Sequence, residues 1–234
     1  MDEREERSYC ERWGPVAAVH ATVFRILRWW LGLRVCGIYV RPLAPAKSPD
    51  PAIPGFSYRL FEQGEADALI ARAKRPELDL PEIFVRNALD KRDACHAILY
   101  DEEVVSYVWS AFTPTHDSEG VYVGFGDKDR YAYKALTLPE FRGRHLPRVF
   151  KSLRDGYGIA RGCTHTIAFV AVENRSSIRS TAAQGYRRIG FAGYWKRGPF
   201  FAAFRTQGVR WRGFHFFVPL QEGAPRMQPP KSLT

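Results

Sequence analysis

Acid is in short supply in this 234-residue chain: 25 Asp and Glu stand against 35 Lys and Arg, for a net charge of +10. Cysteine is scarcer still, and Cys10, Cys36, Cys95 and Cys163 form no CxxC pair and have no His at ligand spacing. They are expected to be reduced, partly buried thiols in a cytoplasmic setting, and no metal site is expected. No uninterrupted apolar run approaches the roughly 18–20 residues of a membrane-spanning helix. The nearest candidate, residues 16–40, is broken by Arg25, Arg28 and Arg34. The first residues, Met-Asp-Glu-Arg-Glu-Glu-Arg, carry an acidic majority, the wrong start for an export signal. Internal repeats are absent. The basic balance favours polyanionic company, whether nucleic acid, an anionic membrane surface or a phosphate-rich ligand, without choosing among them. The basic residues are dispersed and no nucleic-acid motif accompanies them, which argues against the first.

Apolar material is plentiful, at 45% hydrophobic and 14% aromatic, enough for a sizeable core. Three zones follow from composition. Residues 1–54 form a basic-aromatic extension ending in a Pro-rich joint, residues 55–218 carry globular patterning, and residues 219–234 read as a polar, Pro-rich disordered tail. Within the middle zone, residues 56–61 read as a strand, 65–74 as a helix with Ala66, Leu69, Ile70 and Ala73 on one face, and a second helix starts near Pro81. Strands at 97–100 and 104–112 flank the acidic turn Asp101-Glu102-Glu103, a hairpin signal. A polar loop, a strand near 131–138 and a helix over 147–161 come next. Residues 164–172 form the near-continuous apolar run of a strand buried on both faces. A short helix over 176–184 ends at Gly185, and aromatic strands at 186–190, 200–205 and 209–218 close the chain. The order predicts a mixed α/β fold with helices on both faces of a central sheet.

Two segments carry a resemblance. Thr137-Leu138-Pro139-Glu140-Phe141-Arg142-Gly143-Arg144-His145-Leu146-Pro147 joins a strand to a helix, and Asn174-Arg175-Ser176-Ser177 leads to Gln184-Gly185-Tyr186 after the buried strand. The first is similar to the pyrophosphate loop of GNAT acyltransferases, Arg/Gln-x-x-Gly-x-Gly/Ala; the second resembles their Asn-x-x-Ser/Ala…Gly-Phe/Tyr pattern at the right interval. The resemblance covers residues 55–206 and implies a GNAT-like, mostly antiparallel sheet. Arg142 and Gly143 match the family positions, whereas His145 and Pro147 stand where small residues are usual. An alternative alignment places Pro147 on the Pro of the variant Arg-Gly-x-Gly-Leu-x-Pro. A tight turn into a helix presents consecutive N–H groups to an anion, which suits a phosphate.

The resemblance implies acetyl-CoA, or another acyl-CoA, as co-substrate. Leu138, Arg142, Gly143, Arg144, His145, Leu146, Asn174 and Ser177 are its expected ligands, with the backbone N–H of Leu138 or Thr137 polarising the thioester. Many family members place a Tyr seven residues after the Asn as acid to the thiolate; here that position is Thr181, and Tyr157, Tyr186, Tyr194 or water are alternatives. Glu173, beside Asn174, is the expected general base, with Glu119, Asp127 and Asp129 as alternatives. Trp109, Tyr131, Tyr133, Phe191, Trp195 and Phe201 are candidates to line an amine site suited to a sugar, amino acid or lipid-linked amine. A non-catalytic acyl-CoA sensor on the same fold is the alternative function. For residues 16–41, where Trp29 and Trp30 accompany the arginines, two readings stand: an interfacial helix contacting an anionic membrane peripherally, or an added helix and strand packed on the domain.

Overall fold

The computed structural model describes residues 13–45, 53–118 and 120–219. Cys10, Glu119, the Pro-rich joint beyond residue 45 and the expected tail from residue 220 lie outside the described residues. The first helix, α1 (Pro15–Leu31), has Pro in its opening turn, where a missing N–H costs nothing. It stops at Gly32, whose φ of 65° is the left-handed geometry that lets the chain reverse without a Cβ clash. The chain then enters β1 (Leu33–Pro42).

After residue 53 come β2 (Phe56–Phe61), the short helix α2 (Ala66–Ile70), α3 (Glu82–Asp90), β3 (Ala94–Tyr100) and β4 (Glu103–Ala111). Asp101 and Glu102 both have positive φ, 49° and 62°, the left-handed pair that lets a two-residue turn match strand twist. Next are β5 (Thr115–Ser118), β6 (Val121–Gly124) and β7 (Asp129–Thr137), then α4 (Leu146–Val149), α5 (Lys151–Ala160), β8 (His165–Ala171) and α6 (Arg175–Ala183). The described chain closes with β9 (Arg187–Arg197), β10 (Phe200–Arg205), α7 (Gln207–Trp211) and β11 (His215–Phe217).

The expected fold class is the one observed: a mixed, mostly antiparallel sheet flanked by helices. Among the described residues its eight strands run in the order β10-β9-β1-β8-β7-β4-β3-β2, and β7–β8 is the one parallel pair. A second sheet, β11-β6-β5, packs over the half containing β7, β8, β1 and β9. Its Val121, Val123 and Phe216, with Phe214 just before β11, bury against Tyr131, Ile167, Ile38 and Tyr194. Helix α3 lies on the same side over the other half, with Phe84 edge-on to Trp109 at 5.1 Å. On the opposite face, Arg41, Thr166 and Arg130 stand side by side in register beneath α5, where Asp155 accepts both terminal nitrogens of Arg41 at 2.6 Å.

Four expectations need correction. Of the two readings of residues 16–41, the added helix and strand is the one observed, but residues 33–42 are an interior strand that pairs β8 on one side and β9 on the other, so the sheet draws on both sides of the boundary expected at 54/55. The loop expected before β7 holds β5 and β6; each is four residues long, too short to show alternation. Residues 209–218, aromatic enough to suggest one strand, divide at Gly213 (φ 80°) into the end of α7 and β11. The helix expected over 147–161 breaks at Phe150, which leaves the helical path to stack its ring on Tyr58 at 6.0 Å.

Candidate active site

Strands β7 and β8 pair only through Asp129–His165, Arg130–Thr166 and Tyr131–Ile167. Beyond that point β7 follows β4 and β8 follows β1, so the two facing edges part and leave an opening in the middle of the sheet. A bulge sits where they part: Tyr107 pairs Leu136 and Trp109 pairs Tyr133, two residues against three, with Lys134 at φ 42°. Such a bulge bends a strand and re-aims its polar groups. Because β7 and β8 are parallel, the loop after β7 and the start of α6 after β8 emerge at the same end, beside the opening.

Of the two expected backbone donors, Leu138 is committed elsewhere: its N–H bonds to Val105 O at 3.0 Å, on the β4 side, and its side chain is fully buried. Alternation along a strand turns the Thr137 N–H the other way, toward the opening. The Thr137 carbonyl points there too and accepts from Arg142 Nε at 3.0 Å. Residues 142–145 are exposed, and the N–H groups of Gly143, Arg144 and His145 have no hydrogen-bond acceptor among the described residues. Gly143 (φ 81°) and His145 (φ 55°) both take the left-handed conformation, which curls this stretch before the single turn of α4. The Arg144 guanidinium lies over the Phe56 and Phe141 rings, at 5.7 and 5.6 Å.

On the β8 side, Asn174 Oδ1 accepts the Ser177 N–H at 3.0 Å and caps α6, which leaves its amide N–H2 exposed. Glu173 is half-buried at the same end, and Thr181 is half-buried two turns into α6, its carbonyl accepting the Gln184 and Tyr186 N–H groups. The tyrosines named as alternative acids are engaged: Tyr157 donates to Glu62 at 2.6 Å, and the hydroxyls of Tyr186 and Tyr194 hydrogen-bond with those of Thr166 at 3.2 Å and Ser118 at 3.1 Å. Asp129 belongs to the other end of β7, in an ion pair with Arg212 at 2.5 Å. It lines a shallow cavity of about 280 Å³ there with Asp127, Phe112, Arg161 and Cys163, away from the opening. Of the aromatic residues expected around the amine, Trp109 and Tyr131 are core; Tyr133 is partly accessible, one residue before the bulge.

Tyr133 leads to a group with no sequence signal. Its hydroxyl donates to Asp93 Oδ2 at 2.6 Å, Lys91 Nζ is 3.3 Å from the same oxygen, and Asp93 Oδ1 is buried with no hydrogen-bond partner. Burial pushes the Asp93 carboxyl above the ordinary aspartate range, against the pull of Lys91 and Tyr133. A second carboxylate on this face, Asp117, pairs with Arg34, whose guanidinium lies 5.1 Å above the Phe169 ring on β8.

No protein-family model matches the chain, and no curated protein does. Solved structures do. The chain is similar to acetyltransferases of the GNAT family. A tandem GNAT protein from the clavulanic acid biosynthesis pathway aligns over 77% of this chain and 57% of its own length, at 14% identity and a TM-score of 0.46. The aminoglycoside N-acetyltransferase AAC(6')-Iy, in complex with CoA, aligns over 67% of this chain and 99% of its own, at 16% identity and a TM-score of 0.44. A Drosophila protein of unstated activity aligns over 70% and 50%, at 14% identity and a TM-score of 0.46. The chain spans 50–63% of the length of the first four structures it matches.

Proposed function

We propose that this chain is a GNAT-type N-acyltransferase that passes an acyl group, acetyl by resemblance, from acyl-CoA to a small-molecule, sugar-linked or lipid-linked amine in a ternary complex. The observation that carries this is the parting of β7 and β8 after Tyr131–Ile167, with the bulge at Lys134 and both motif segments at the same end of the opening. A thioester lying in the opening meets the Thr137 N–H, which stabilises its oxygen as charge develops. The exposed N–H groups of residues 143–145, with Arg142, face the pyrophosphate, and the Asn174 amide with Ser177 faces the pantetheine arm. The amine nitrogen attacks the thioester carbon, the C–S bond breaks, and the thiolate takes a proton from water, with the Thr181 hydroxyl as relay. Glu173 or the Asp93–Tyr133 pair receives the amine proton; the raised affinity of Asp93 for a proton suits it to that work. The reading includes a cytoplasmic location, a peripheral membrane contact within residues 16–41 and no nucleic-acid partner.

A second reading, an acyl-CoA sensor without turnover, is favoured by Thr181 in place of a phenol and by the engagement of Tyr157 with Glu62. Calorimetric titration of the full chain with acetyl-CoA at moderate salt tests both. Binding by the wild type is expected, weakened about tenfold in Arg142→Ala, the scale of one charge-assisted phosphate contact, with an unchanged melting temperature. Absence of binding by the wild type sinks both readings. Binding without thiol release across a panel of amines leaves the sensor.

A further inference from the structure

Strand β10 ends the eight-stranded sheet with one side unpaired. Among the described residues it pairs β9 alone, so every second residue turns its N–H and C=O outward, away from β9. No backbone hydrogen bond outside the ladder reaches residues 200–205 among the described residues. Sheet edges are ordinarily blunted by a charge, a Pro or a bulge within the strand. The other edge, β2, carries such a guard: Arg59 stands in mid-strand, 4.7 Å above the Phe61 ring and 3.5 Å from Glu65 Oε1. In β10 the run Phe200-Phe201-Ala202-Ala203-Phe204 has no charge and no Pro. Its pairing with β9 runs without a bulge from Phe200–Arg197 to Arg205–Ala192. An unguarded edge of this kind is a template for another strand.

We propose that β10 pairs with β10 of a second copy of this chain, antiparallel about a two-fold axis through Ala202, joining the two sheets edge to edge. The strand's own sequence selects this occupant. By alternation Phe200, Ala202 and Phe204 share one face. All three are exposed, Phe200 by 67% and Phe204 by 44%, and Trp195, directly opposite Ala202 on β9, adds 37%. Phe204 is held in place, its ring lying over the Gly193 backbone where a Cβ would come within 2.6 Å of it. The order Phe-Ala-Phe reads the same in both directions. The axis therefore sets Ala202 against the partner's Ala202 and Phe200 against the partner's Phe204, giving two opposed aromatic pairs with Cβ atoms about 4.5–5.5 Å apart. A strand from another protein would need no such symmetry. Charge agrees: Arg205 falls opposite the partner's Pro199, which leaves the two arginines about 20 Å apart at the ends of the ladder. The contact is isologous and closes at two copies. It is independent of the acyl-transfer reading, since β9 and β1 lie between β10 and the opening at β7 and β8.

The test is sedimentation velocity of the full chain over about 1–100 μM, a range suited to so small an interface as one six-residue ladder. Wild type is expected to pass from monomer to dimer across it. Ala202→Lys sets two ammonium groups against each other at the axis and should weaken the dimer about tenfold or more, while melting as dilute wild type does. Cross-linking reads the register. In a Cys10→Ser background, where Cys36, Cys95 and Cys163 are buried, Ala202→Cys should give a disulfide-linked dimer on mild oxidation. Phe200→Cys should link to Phe204→Cys when the two variants are mixed, and not to itself. Wild type that stays monomeric throughout, an Ala202→Lys chain that dimerises equally, or a dimer that Ala202→Cys does not link overturns the proposal.

Discussion

His96 shows how a single titratable side chain can be held to one state. It is buried on β3, with Nδ1 2.7 Å from the Tyr58 hydroxyl and Nε2 2.9 Å from Ser110 Oγ. Burial first, then the charges of Arg130 and Arg154, keep its proton affinity well below the ordinary histidine value near 6.5. The folded chain therefore leaves His96 neutral while the unfolded chain takes up a proton as pH falls through about 6.5. Stability from this site is complete above that value and declines below it, by up to about 1.4 kcal/mol per pH unit, until the folded chain protonates as well. Melting curves at pH 7.5, 6.5 and 5.5 should show a smaller acid loss for His96→Gln than for wild type; parallel losses would contradict the assignment. At this scale a sequence can nominate residues only where spacing carries information. Asn174 and Arg142 stand at fixed intervals within their motifs, so both could be named in advance. Asp93 and Tyr133 are 40 positions apart, and only the α3–β3 turn and the β7 register bring them to 2.6 Å. No local pattern records that meeting.

Among elements, the junction of α1 and β1 is the most constrained. Gly32 closes the helix through its N–H on Arg28 O at 3.0 Å, and its own carbonyl accepts the Lys196 N–H at 3.1 Å. A Cβ added there would come within 2.0 Å of the Lys196 carbonyl oxygen, at a φ of 65° that disfavours side chains in any case. Gly32→Ala should therefore lower stability by at least about 1–3 kcal/mol, read as a fall in the denaturation midpoint. An unchanged midpoint would mean that α1 and β9 do not meet as described. The elements that were legible owe it to length and punctuation. Strand β2 was expected at 56–61 and β10 at 200–205, and both occupy those residues. Strands β5 and β6 were not, because two four-residue segments around a turn offer too few alternations to separate strand from loop. Residues 209–211 were misread because aromatic and β-branched composition outweighed the break at Gly213.

For the molecule as a whole, the sheet is continuous only because its first strand lies near its middle. Strand β1 pairs β8 from Cys36 to Pro42 and β9 from Leu33 to Val40, and it alone joins the β9–β10 hairpin to the rest of the eight-stranded sheet. A chain lacking residues 1–42 should lose cooperative unfolding, with β9 and β10 readily cleaved in limited proteolysis. A truncated chain that melts in one transition and resists protease would show that the remaining strands close up without β1. Sequence order concealed this arrangement, since strand neighbours far apart along the chain leave no mark in local periodicity, and the Pro-rich joint after β1 reads as a border. The place of β1 also bears on how the protein is made. The strand leaves the ribosome well before its partners, which begin at His165 and Arg187, so more than 120 residues of synthesis pass before either edge is covered. During that interval an apolar strand with two bare edges is exposed beside the apolar face of α1, and for that time the nascent chain depends on whatever shields the pair.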